Sequence, residues 1–157
     1  MQDSVERLPS FLKSSSERET LAFARRLASV LGPGDVLALV GPLGSGKTTF
    51  VKGIAQGLGI HDARRVTSPS FVLLHQYQGK YPLYHLDLFR VENLSDVLGL
   101  GWDDLLGSGA VIAVEWAKKI DGFLPEAYLE VEFRVSGQHA REIRCVPHGE
   151  RFEGVRA

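Results

Sequence analysis

The chain predicts an α/β domain in which helices flank a sheet of mixed parallel and antiparallel strands, ending in a C-terminal β-hairpin. Three observations carry that expectation. An apolar run of strand length, Val36 to Val40, leads through a glycine-rich loop into a helical pattern. Two extended runs, Phe71 to Tyr77 and Tyr81 to Phe89, flank a turn at Gly79-Lys80 and predict a hairpin. Near the end, Leu129, Val131, Phe133 and Val135 alternate with Glu130, Glu132 and Arg134, and Gly137 then turns the chain into Arg141 to Val146. At 157 residues with 44% hydrophobic content, the sequence holds one well-packed domain and is too short for two.

The elements follow in order. Residues 1–13 mix polarities around a proline and read as a lead-in. Ser16 and Glu19 form a capping box, after which Leu21, Ala24, Leu27, Ala28 and Leu31 trace one helical face, and Gly32-Pro33 stops that helix. The helix after the glycine loop carries Phe50, Val51, Ile54, Ala55 and Leu58 at helical spacing and ends near Gly59. A polar segment with Arg64 and Arg65 leads to Thr67-Ser68-Pro69-Ser70 and the hairpin. Leu94 to Leu106 reads as a short, glycine-interrupted helix. Ala110 to Val114 is an apolar strand ending in Glu115-Trp116, and residues 148–157 form a polar tail expected to be mobile.

Gly41 to Thr48 read GPLGSGKT, a complete GxxxxGK[ST] phosphate-binding loop. Average residue usage would produce its four fixed positions in about one chain in 200 of this size, so context decides. Here the context is the expected one: apolar strand, loop, then helix. The domain is therefore expected to be of the P-loop NTPase type, spanning residues 1–157 as a single unit. Glycines at 41, 44 and 46 let the amides of Leu43, Ser45 and their neighbours curl around a polyphosphate, and the helix that begins with Thr48 and Thr49 adds its positive end. Lys47 supplies a point charge for the β- and γ-phosphates. The Thr48 hydroxyl is placed to ligate magnesium.

Charge and composition narrow the partners. With 18 basic and 19 acidic residues the formal charge is −1, so no basic field binds nucleic acid unaided. Cys145 is the one cysteine, which excludes an internal disulfide and a cysteine-based zinc cluster; its alternating stretch makes it a core thiol. No apolar signal core or membrane-length run is present, and a cytoplasmic location is the expectation.

A P-loop enzyme also needs acids near its metal, at the end of a neighbouring strand. Glu115, directly after Val-Ile-Ala-Val, has that position. Asp87 in His85-Leu86-Asp87-Leu88-Phe89-Arg90 is the second candidate, with His85 on the same face by alternation. Strand-end acids are also commonly just solvated. A lone histidine such as His85 is more commonly a hydrogen-bonded structural residue than a catalyst.

GPLGSGKTTFVKGIAQGLGI, VTSPSF, HLDLFR, LGL and the strand ending in Glu115-Trp116, in this order and spacing, resemble the TsaE family, formerly YjeE. The resemblance implies a small bacterial ATPase that works with TsaB, TsaC and TsaD to make N6-threonylcarbamoyladenosine beside the anticodon of tRNA. TsaC makes the threonylcarbamoyl adenylate, TsaD transfers the group, and the family member binds the TsaB–TsaD assembly and uses ATP hydrolysis to support its turnover. Contact with tRNA would be indirect, through those partners. Carried onto this chain, the resemblance makes Lys47 and the loop glycines the phosphate site, and Thr48 with Asp87 the magnesium site. Glu115 would be an outer metal ligand or the residue that orients the attacking water. Thr67 and Ser68 would form a segment sensing the γ-phosphate, where the plain alternative is a Ser-Pro turn. Thr20 would approach the base, and Trp116 would lie near the nucleotide, near a partner, or in the core.

The sequence departs from the family pattern at Ser70, Phe89 and Pro42. The first two put only hydroxyl contacts in doubt. Pro42 removes one loop amide without an expected loss of function. Two other classes use the same loop: a small-metabolite or nucleoside kinase, for which Arg64 and Arg65 are the clustered arginines but no long lid is visible, and a binding module that ATP merely switches.

Overall fold

A computed structural model describes residues 9–67 and 73–153. Four parallel strands form the middle of the sheet: β2 (Val36–Val40), β5 (Val111–Glu115), β4 (Leu83–Asp87) and β6 (Tyr128–Val135). Antiparallel strands extend it on both sides, β3 (Leu74–Tyr77) on β4, and β7 (Arg141–His148) on β6. The seven-stranded order is β1-β7-β6-β2-β5-β4-β3, with β1 (Phe11–Ser14) at one edge. Both predicted hairpins are present and the sheet is mixed, as the patterns required.

β2 and the first four residues of β5 are apolar throughout because both of their faces are covered. Leu37, Leu39, Val111 and Ala113 pack beneath α1 (Glu17–Ala28) and α2 (Lys47–Gly57), against Leu27, Phe50, Val51 and Ile54. Val36, Ala38, Ile112 and Val114 pack on the other side against Leu86, Val97, Trp102 and Ile120, below α3 (Leu94–Leu98) and α4 (Trp102–Leu106). Each such fully buried aliphatic side chain contributes about 1.5–3 kcal/mol. No helix among the described residues is long and apolar enough to cross a membrane.

The two helices above the first face lie unusually close. A methyl group on Gly53 would stand 2.5 Å from Ala24 Cβ and 2.7 Å from the Leu21 carbonyl oxygen. That approach presents the backbone of Leu21 to α2, so Leu21 is only half-buried and Phe23 takes its place in the buried stripe. The capping box is also rearranged. Ser16 Oγ accepts the Glu19 amide as predicted, at 3.1 Å, but the Glu19 carboxylate takes the amide and hydroxyl of Ser15 at 2.8 and 2.9 Å. Those two bonds hold the Glu19 carboxyl below its usual range.

Three further expectations are revised. The predicted helix over Leu94 to Leu106 is two helices, broken where Gly101 takes φ +77°. The lead-in supplies β1, whose residues 11–14 pair with Arg144 to Arg141 across the open side of β7. The described part of the polar tail, through Glu153, is anchored as well. Phe152 is 2% exposed, and Arg151 binds Asp35 through Nε at 3.2 Å and Nη2 at 2.9 Å. In both cases the partners are distant in sequence, so no local pattern announces them. Cys145 is buried as expected, and burial pushes its thiol up to about 12.

Candidate functional site

The glycine loop joins the carboxyl end of β2 to the amino end of α2, where unpaired helix amides converge. Gly46 caps α2 at φ +103°, a conformation that only glycine adopts without strain, and it turns the loop so that Lys47 begins the helix. The result is a cavity of about 440 Å³, lined by loop residues Leu43, Gly44, Ser45, Gly46, Lys47, Thr48 and Thr49, and by Asp87, Phe89, Arg90, Glu115 and Trp116 opposite them.

Register explains why two acids from separate strands meet here. On the parallel pair β4–β5, Asp87 stands beside Glu115, each the last residue of its strand. Both lie on the α2 face of the sheet, because they are in phase with Leu83 and Val111. Asp87 is 5% exposed and Glu115 3%. The Thr48 hydroxyl donates to Glu115, 3.0 Å from Oε1 and 3.1 Å from Oε2. Asp87 Oδ1 accepts the Phe89 amide at 2.9 Å. His85, two residues before Asp87, is fully buried with Nε2 2.5 Å from Glu115 Oε2.

Lys47 is folded back on its own loop. Its ammonium donates to the carbonyls of Gly41 at 2.6 Å and Pro42 at 2.9 Å, and lies 4.2 Å from the centre of the Trp116 ring. Burial lowers its pKa, partly offset by the negative charge of Glu115 and Asp87. Trp116 has φ +59°, a left-handed conformation rare for a large side chain, directly after Glu115. Its ring also packs on Phe89, with centroids 5.0 Å apart. Trp116 lines the cavity and also packs against the core on the other face of the sheet.

A second cavity of about 420 Å³ shares Gly44, Gly46 and Thr49 with the first and extends along the start of α1. It contains Ser15, Ser16, Glu17 and Thr20, faced by Gln138 and His139 from the turn before β7 and by Arg141, the first residue of that strand. Thr20 therefore stands beside the loop, though it is 4% exposed and its hydroxyl lies 2.8 Å from that of Ser14. Arg141 was not singled out in the sequence. It reaches the loop by donating from Nη2 to the Gly44 carbonyl at 3.2 Å, a contact across 97 positions that only the placement of β6 beside β2 creates.

Other predicted residues fall elsewhere. Gly41 lies behind the cavity and contributes its carbonyl to Lys47. Thr67 is exposed and lines neither cavity, while Ser68 and Ser70 lie outside the described residues. Arg64 and Arg65 are exposed and pair with Asp62 at 3.6 and 2.9 Å, away from the loop.

The groups at the first cavity suited to a metal are hard oxygens, the Thr48 hydroxyl and the carboxylates of Asp87 and Glu115. No group of three His, Cys, Asp or Glu residues suited to a metal occurs among the described residues. That set fits magnesium, which takes one or two carboxylates and completes its shell with phosphates and water, and it does not fit a protein-enclosed zinc site.

Residues 14–143 match the family described as Threonylcarbamoyl adenosine biosynthesis protein TsaE. Two relatives carry the name tRNA threonylcarbamoyladenosine biosynthesis protein TsaE. That of Bacillus subtilis (strain 168) is 43% identical over 142 residues, which are 90% of this chain and 87% of the relative. That of Treponema pallidum (strain Nichols) is 37% identical over 130 residues, 83% of this chain and 95% of the relative. The crystal structure of YdiB from Bacillus subtilis superposes with a TM-score of 0.76 at 36% identity, covering 92% of this chain and 89% of that one.

Proposed function

Because the chain belongs to the TsaE family, we propose that it is a magnesium-dependent ATPase serving tRNA N6-threonylcarbamoyladenosine synthesis, where it acts on the TsaB–TsaD complex. A role in that tRNA modification goes with the family. One observation carries the ATPase reading. The Thr48 hydroxyl, both oxygens of Glu115 and the register-paired Asp87 converge on one cavity with Lys47 at the start of α2.

The loop amides and the amino end of α2 would hold the polyphosphate, and Lys47 would leave the carbonyls of Gly41 and Pro42 for the β- and γ-phosphate oxygens. Thr48 would exchange its bond to Glu115 for a place in the metal shell, with Asp87 as the second protein ligand. A magnesium ion held there with the nucleotide would supply charge neutralisation to the phosphates. Glu115, released by Thr48, would hold an oxygen toward the attacking water or toward the outer metal shell. The base and ribose would extend into the second cavity, past Thr20 and Arg141. Turnover by the chain alone is expected to be slow, with Arg90 on the cavity wall as the residue to test for assistance in cis. The cytoplasm is the matching compartment.

The test is phosphate release from Mg-ATP by the purified chain, alone and with the TsaB–TsaD complex, with and without tRNA. Strong stimulation by the complex supports the reading. Turnover that ignores the complex and appears with a small-metabolite acceptor moves the chain to the kinases, and nucleotide binding with no release in any mixture makes it an ATP-switched module.

A further inference from the structure

We propose that His85 is a positioning residue that fixes the Glu115 carboxylate for its task, an inference that rests on the role given to Glu115 above. His85 lies on β4 opposite Ala113 of β5, two residues before Glu115. The small alanine side chain leaves the imidazole room to lean along the strand and reach the acid. With Nε2 2.5 Å from Oε2, and Thr48 donating from the other side, Glu115 is held between an imidazole and a hydroxyl.

The other ring nitrogen supplies the functional argument. Among the described residues, His85 Nδ1 is buried without a hydrogen-bond partner. Such an orphaned polar atom costs stability, and an apolar side chain of similar volume would avoid the cost. Stability alone therefore does not account for a histidine here. The imidazole thus sacrifices one satisfied nitrogen to keep a rigid ring nitrogen on Glu115. A freely rotating Glu115 could swing onto Lys47 or into solvent; the imidazole leaves Oε1 directed at Thr48 and the cavity. Partners of this kind, one bond removed from a metal shell, are worth roughly 10–100-fold in metal affinity or activity.

The experiment compares the full-length chain with His85→Leu, His85→Gln and Glu115→Ala, in the presence of the TsaB–TsaD complex. It follows kcat, the magnesium concentration for half-maximal nucleotide binding, binding of a fluorescent ATP analogue without metal, and the thermal midpoint. The expected result for His85→Leu is a kcat about 10–100-fold lower and a comparable rise in the magnesium requirement, with metal-free nucleotide affinity and midpoint unchanged or improved. His85→Gln, whose amide reaches nearly as far as Nε2, is expected to restore much of the loss. A His85→Leu protein with parental kcat and parental magnesium requirement overturns the proposal. If that variant does not fold, His85→Gln decides alone: recovery above Glu115→Ala supports positioning, and turnover as low as Glu115→Ala overturns it. Proton NMR separates this proposal from the reading beneath it. A far-downfield imidazole proton, lost in Glu115→Ala, supports the bond even if that substitution leaves turnover intact and the role of Glu115 falls. Its absence in the parental chain overturns the bond itself.

Discussion

Asp35 and Glu115 are both buried acids, at 7% and 3% exposure, placed at opposite ends of adjacent strands, and they are satisfied in opposite ways. Asp35, just before β2, receives the guanidinium of Arg151 at both oxygens and the Gly32 amide at 2.7 Å, so a full positive charge inside the chain answers its own. Glu115, ending β5, is held by a threonine hydroxyl and an imidazole, while the nearby ammonium of Lys47 is spent on backbone carbonyls. The structural acid is complete without a ligand. The candidate site keeps charge of both signs at the carboxyl ends of parallel strands, where α/β sheets place their ligands.

Four measurements break or sharpen that contrast. The largest effect is expected for Glu115→Ala: turnover falls by about 10²–10³-fold, as when one stabilising group is removed from an active site, with ATP still bound and the thermal midpoint not lowered. Hydrolysis at the parental rate would remove Glu115 from the mechanism. Asp87→Ala is next, and should weaken magnesium-dependent nucleotide binding about 10–100-fold while metal-free binding holds; titrating nucleotide with and without magnesium decides it. At the other end of the sheet, Arg151→Ala should leave the turnover of the folded chain alone. It strands Asp35, but the guanidinium is half-exposed and screened, so the cost is about 1–3 kcal/mol, read as a midpoint about 2–10 °C lower. A loss of turnover with an unmoved midpoint would reverse the two assignments.

Cys145 gives the smallest effect and serves as a control, since burial raises its thiol pKa. Its folded pKa of about 12 lies above the ordinary 9.0. The fold thus favours the neutral thiol, a contribution fully present below about pH 9 and lost as pH rises toward about 12. Against a Cys145→Val chain, the parental urea midpoint should fall faster over that window, and a thiol reagent at neutral pH should label only unfolded protein. Rapid labelling of the folded chain contradicts its burial.

Legibility followed the range of the interactions. The strand-loop-helix unit was readable because its signals are contiguous, and Glu115 because four apolar residues lead directly to it. The bond from Ser16 to Glu19 was readable for the same reason, while the detour of the Glu19 carboxylate to Ser15 depends on side-chain reach. Arg141, β1 and the Arg151 anchor were not readable, since each acquires its partner only through the sheet order. His85 was visible as an alternation partner of Asp87, but nothing local distinguishes an imidazole aimed at Glu115 from one serving the core.

That sheet order has a consequence for how the chain is made. β1 has β7 as its sheet neighbour, and β2 is flanked by β5 and β6, so the earliest strands are completed by the latest. During synthesis at about 5–20 residues per second, β1 waits on the order of ten seconds for its partner to leave the ribosome. Through that interval the apolar strand β2 and the facing stripes of α1 and α2 have no finished sheet to cover, and they form an exposed segment of the kind that nascent-chain chaperones shield.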